Sequence, residues 1–302
     1  MQKSKKRWIY RCVGLAAVVT LGALAPARVE DAKEQGKNGV PHAAIKVEHY
    51  SALKDVILDG DILFAFCTRQ PDPSSLPPGF KPGMRPPAAE AGRPAGPPVA
   101  RRLPQTIFDQ KRLAESLAVL NAVHDPRVRK ALVLSSVFDL KANLKRFPKD
   151  LFYVLYNTEP GMTPPEELQS LEESVREFSA IAHGAGLKLG WGPTNAMLTA
   201  DEAKFLGLAK YVDSMGLQHQ RILQLEGLEA FVAQTRRRSE LVRKINPEGT
   251  TLVQVVVGRG TNEQLIQALK AVLPYIGEIS VWTMQDTKSA AEILTAVRAS
   301  AK

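Results

Sequence analysis

Two cysteines in 302 residues, Cys12 and Cys67, leave almost no sulfur chemistry to consider. Several signatures are missing as well. No Gly-x-Gly-x-x-Gly follows the first strand-like run, which argues against a dinucleotide fold. No Gly-x-Ser-x-Gly nucleophile elbow occurs. His42, His49, His124, His183 and His219 show no metal-ligand spacing, so neither a metal nor another cofactor is expected. Gly258-Arg-Gly260 precedes a helix-like segment but lacks the Gly-Lys-Ser/Thr of a phosphate loop. It reads as a turn, with Arg259 leaving an anion or phosphosugar site as the weaker option.

Charge of one sign is also less abundant than the formal +9 suggests. Lys3, Lys5, Lys6, Arg7 and Arg11 crowd the first eleven residues, and beyond Ala27 the balance falls to +4 with no basic block. A nucleic-acid partner is not expected, since phosphate binding needs a concentrated positive face. The early charges read as the basic region of an export signal. Cys12–Ala25 reads as its apolar core and Ala25-Pro-Ala27 as a cleavage site, with Ala23-Leu-Ala25 as the alternative, where proline would follow the cut. Fourteen residues are too few for a comfortable membrane span. The expectation is an exported chain, periplasmic or extracellular, with no stable membrane insertion after cleavage. Cys67 is then the only cysteine, no intrachain disulfide can form, and a core must carry the stability. Within Ile62–Cys67 its thiol reads as apolar core.

What is present is alternation. Residues 28–42 read as a linker, and 43–302 as one domain. Pro71 to Pro104 holds eleven of the 21 prolines and reads as a disordered insertion, because such a segment forms neither helix nor central strand. Elsewhere, apolar strand-like runs begin near residues 62, 131, 151, 187, 212, 251 and 278, with a weak eighth near 45. Helical periodicities lie between them, including one over Thr106–Val123. Thr163, Thr199, Thr261 and Ser289 each stand three residues before Glu or Gln and read as capping boxes. Strand–helix alternation implies parallel strands joined by crossovers, and eight of them close a (β/α)8 barrel.

In a barrel strand alternate residues face the helices and the lumen. Taking the uniformly apolar set as outward leaves Ser280, Trp282, Met284 and Asp286 inward in the last strand. Ser214, Gly216, Gln218 and Gln220 are inward in another, and Gln254 in a third. Tyr153, Asn157 and Glu159 share one parity, and the following strand ends with Trp191 and Asn195. Amides, aromatics and a carboxylate at the strands' C-terminal ends suit hydroxyl-rich neutral ligands. The competing reading is a buried layer of amides that satisfy one another.

Tyr153-Val-Leu-Tyr-Asn-Thr-Glu159, Ala182-His-Gly-Ala-Gly-Leu-Lys188, Val253-Gln-Val255 and Ser280-Val-Trp282 resemble a loose group of exported bacterial barrel proteins. That group is similar to the glycoside-hydrolase-like superfamily and has no established activity. Over about residues 130–300 the resemblance implies a barrel with a sugar-type cleft. The chitinase-type Asp-x-x-Asp-x-Asp-x-Glu signature is missing.

Glycoside hydrolysis ordinarily uses two carboxyl groups flanking the bond. Glu159 is the leading catalytic candidate, with Asp139 and Asp286 as candidates for its partner. Asp213 and Glu278 stand at strand starts and are excluded. Tyr153, Asn157, Trp191, Asn195, Gln218, Gln220, Gln254 and Trp282 are the candidate sugar-binding residues. The alternative is a catalytically silent glycan-binding barrel that uses the same pocket.

Overall fold

The computed structural model describes residues 40–67, 69–71 and 106–301. The expected signal peptide, nearly all of the linker and most of the Pro-rich segment lie outside the described residues.

Eight parallel strands close a barrel: β1 (His42–Lys46), β2 (Asp61–Phe66), β3 (Val128–Leu134), β4 (Leu151–Tyr156), β5 (Lys188–Trp191), β6 (Ser214–Leu217), β7 (Thr250–Val256) and β8 (Glu278–Trp282). Each strand pairs with its neighbours in sequence, and β1 pairs with both β2 and β8 to complete the ring. The chain is therefore a (β/α)8 barrel, and the weak run near residue 45 is its first strand. Gln70–Pro71 and Thr106–Ile107 form a small antiparallel pair outside the barrel.

Two layers of apolar side chains explain the alternation. Leu63, Leu132, Val154, Leu189, Met215, Val253 and Ile279 face outward and pack with helix residues such as Leu113, Phe178, Leu269 and Ile293. Ala44, Ile62, Phe64, Ala131, Val133 and Tyr153 fill the lumen as a separate cluster. Cys67 belongs to the outer layer, and burial pushes its thiol up to about 12.

Helix starts depart from expectation. Of the four anticipated capping boxes only Thr261 with Gln264 makes both reciprocal bonds. Asp201 and Asp286 cap the helices assigned to Thr199 and Ser289. The Thr163 hydroxyl instead donates to the Asn157 carbonyl at 2.7 Å. The helix expected over Thr106–Val123 runs from Gln110 to Ala122 and is capped by Asp109. Gln220–Ile245 is continuous except for a kink at Gly227, whose φ of 87° lies in the left-handed region that favours glycine.

Acids pin the N-terminal end of the barrel. Asp61 is fully buried and accepts from the Ala43 amide at 2.8 Å, the Leu58 amide at 2.9 Å and the Arg298 guanidinium. Asp213 accepts from His183 at 2.7 Å, Lys188 at 2.8 Å and the Leu189 amide at 2.8 Å. Burial pushes the Asp213 carboxyl up, but these three donors outweigh it and hold the group at about 2.

Two outcomes follow from this end of the barrel. Arg298→Met leaves the Asp61 carboxylate buried without its counterion, and urea unfolding should record a loss of about 3–5 kcal/mol. Asp213 is depressed in the folded state. Its stabilisation is therefore present above the ordinary carboxylate pKa and is lost as pH falls through the folded value. Unfolding curves of wild type and Asp213→Asn should accordingly converge between about pH 4 and pH 2.

Candidate functional site

The C-terminal ends of the strands surround a cavity of about 500 Å³. Its walls follow from the parity of each strand. Phe64 and Phe66 of β2 alternate with outward Leu63 and Ala65, and Trp282 of β8 alternates with outward Val281. The three rings form one flank. Phe64 and Phe66 meet edge-on with centroids 5.6 Å apart, and Phe66 meets Trp282 edge-on at 5.5 Å. Phe64 lies near parallel to Trp282 at 6.0 Å. The Lys46 ammonium stands 5.0 Å from the Trp282 ring centre, a cation–π arrangement.

Asn157, Glu159, Gln218, Gln220, Gln254 and Arg259 form the polar part of the wall. Between them lie Gly190 and Gly192 on the β5 side and Gly216 of β6. A Cβ on Gly192 would stand 2.6 Å from the Gly216 carbonyl oxygen, so the close approach of these two backbones requires glycine.

The amides do not satisfy one another. Among the described residues, no hydrogen bond joins Gln218, Gln220 and Gln254, and the Gln220 Oε1 is buried without a donor. The Asn157 amide reaches only the Met162 sulfur, at 3.4 Å. An acceptor left dry without a partner is costly, and Gln220 is one of the residues that line the cavity.

Glu159 is half-buried, and burial alone pushes its carboxyl above the usual range. No donor among the described residues meets that carboxylate. Among the described residues it is the sole acid lining the cavity, as Arg259 is the sole base.

The other anticipated partners sit elsewhere. Asp139 lies in the helix Val137–Asn143, almost fully buried, and takes a bidentate pair from Arg69 at 2.8 and 2.9 Å. Burial pushes its carboxyl up and Arg69 opposes that shift. Asp286 is exposed and caps the helix Thr287–Arg298 by accepting from the Ser289 amide at 3.0 Å. That bond pulls its carboxyl down. Neither acid lines the cavity.

Two of the expected sugar-binding residues, Tyr153 and Asn195, lie outside the cavity lining, and a third, Trp191, lines it while its indole is held in the outer layer. Tyr153 points into the lumen, but below the cavity: its hydroxyl donates to buried Glu278 at 3.3 Å. Ser214 donates to the other Glu278 oxygen at 2.6 Å. Trp191 touches the cavity wall, yet its indole belongs to the outer layer and donates to the Thr158 hydroxyl at 3.0 Å. Asn195 begins the helix Asn195–Ala200 and faces Arg238 at 3.4 Å, beside the buried His219. Burial, reinforced by the Arg238 charge, lowers the His219 ring to about 3, so it stays neutral.

Phe64 and Phe66 were not anticipated. Ile62–Cys67 is apolar on both faces, which hides its parity; two phenylalanines spaced by two were the available signal.

No family model and no curated protein matches the chain. Among solved structures, it is similar to a putative fructose-1,6-bisphosphate aldolase from Coccidioides immitis (9% identity, 87% of each chain, TM-score 0.41). It is also similar to a family 18 chitinase from Crocus vernus (13% identity, 82% of this chain and 95% of the other, TM-score 0.48). A third is a citrate lyase from Burkholderia xenovorans LB400 (10% identity, 85% and 77%, TM-score 0.47). These likenesses are too distant to assign an activity.

Glu159 supplies a test of the site that needs no ligand. Its folded-state carboxyl titrates above the ordinary value, so ionisation costs stability as pH rises through that interval. Glu159→Gln should melt higher than wild type at pH 7, and the gap should close near pH 4. Calorimetry at the two pH values checks this.

Proposed function

We propose that this barrel is an exported protein that binds a carbohydrate at the C-terminal face of its strands and does not hydrolyse it. The observation that carries the reading is the cavity's two-sided wall, with three aromatic rings on one flank and unpartnered amides elsewhere. Sugars present apolar faces that pack on rings, and hydroxyls that both donate and accept. The buried Gln220 oxygen and the Glu159 carboxylate take donors; the Gln218 and Gln254 amides supply both functions.

Hydrolysis is the second reading, and Glu159 is what favours it: a carboxyl raised by burial suits a general acid. Against it, the second carboxyl that such enzymes ordinarily use is missing from the cavity lining among the described residues. Asp139 and Asp286 are committed to Arg69 and to a helix start.

A screen of immobilised glycans with the purified protein tests the proposal. Retention of a glycan class without cleavage is the expected result. Trp282→Ala should weaken that retention by about tenfold or more, in line with the cost of removing an aromatic anchor. Gln254→Ala should weaken it less. Cleavage that is abolished in Glu159→Gln would establish the hydrolase reading instead.

A further inference from the structure

We infer that the cavity's ligand carries an anionic group, a carboxylate or a phosphate, that binds at the edge of Trp282 between Lys46 and Arg259. The inference rests on the carbohydrate reading and narrows it to an acidic or phosphorylated sugar.

Three neighbouring strands carry it. In the closed ring β8 lies between β1 and β7. Lys46 is the last residue of β1, and its ammonium stands over the Trp282 ring at 5.0 Å. Trp282 ends β8 and pairs in register with Val256, the last residue of β7. Arg259 follows three residues later and lines the cavity. One cation thus lies over the ring, and a second follows the strand that pairs with β8 on its other side. Among the described residues neither makes an ion pair, whereas Arg69, Arg237, Arg238 and Arg298 each meet a carboxylate. A guanidinium on a cavity wall with no carboxylate partner is suited to bidentate capture of carboxylate or phosphate.

The cavity's one acid does not cancel them. Glu159 follows β4, which lies diametrically across the ring from β8. Burial alone perturbs its carboxyl, with no cation among the causes. The charges are therefore segregated. An anionic end is drawn toward Trp282, and hydroxyl donors are drawn toward Glu159 and Gln220. A neutral sugar would leave both cations without an anionic partner.

The experiment is calorimetric titration of the full chain with D-glucuronate, D-glucose and inorganic phosphate at one fixed ionic strength, so that screening is equal throughout. Wild type, Arg259→Gln and Lys46→Gln are compared, with melting curves showing that the variants fold. Glucuronate should bind about tenfold tighter than glucose, and each variant should lose about that factor for glucuronate alone, as expected for a hydrogen bond to a charged group. Phosphate should compete with glucuronate. Phosphate binding that needs Arg259 while both sugars fail would uphold the anionic group and overturn the carbohydrate reading. Equal binding of glucose and glucuronate, insensitive to Arg259, would overturn the anionic inference and leave the carbohydrate reading standing. No binding by any of the three overturns both.

Discussion

Closure of the ring is the constraint on which the rest depends. The first strand has five residues and must pair on both sides, with β2 and with β8. Asp61 holds that junction: it receives the first strand's Ala43 amide and a guanidinium from the end of the last helix, 237 residues away. A parallel barrel without this seam would be an open sheet with two unpaired edges. The aromatic flank depends on the same seam, because Phe64 and Phe66 reach Trp282 only across the first strand. Small Ala44 leaves the room for their rings, and Lys46 above it supplies the charge over the indole.

Much of this was legible, and the limits have physical causes. Strands with one polar and one apolar set, such as 214–218 and 280–284, disclosed their lumenal residues directly. Ile62–Cys67 is buried on both faces, so periodicity could not reveal its phenylalanines. Acids were harder still. A carboxylate after a strand can line a cavity, cap a helix or neutralise a distant arginine. Asp139 is neutralised by Arg69, 70 residues away in the sequence, and no local pattern records that. Trp191 shows a simpler limit. It has the parity of Leu189, which faces the helices, but an aromatic at a strand's end was read by type instead of by parity. Capping failed for a related reason: several side chains near each helix start compete for the same amides, and Asp201 and Asp286 win over Thr199 and Ser289.

The polar groups of the molecule divide into two populations. At the N-terminal end three buried or half-buried acids are met by donors: Asp61 by two amides and Arg298, Asp213 by two side chains and an amide, Glu278 by two hydroxyls. At the C-terminal end the Glu159 carboxylate, the Gln220 Oε1 and the Arg259 guanidinium are left unmatched among the described residues. Satisfied groups contribute to folding, and unsatisfied ones oppose it until something fills the cavity. That contrast within one barrel marks the C-terminal end as the candidate site without reference to any relative.

The glycine wall of β5 and β6 has a consequence of its own. Gly190, Gly192 and Gly216 present backbone to the cavity, and backbone has no rotamers with which to adapt. Exposed Met284 on the rim, by contrast, can swing through several conformations. One side of the cavity is a rigid gauge and the other a compliant jaw. On the proposed carbohydrate reading, a guest is sorted by thickness on the gauge side before its functional groups are read, and closely related sugars that differ in one axial substituent would be separated there by shape alone.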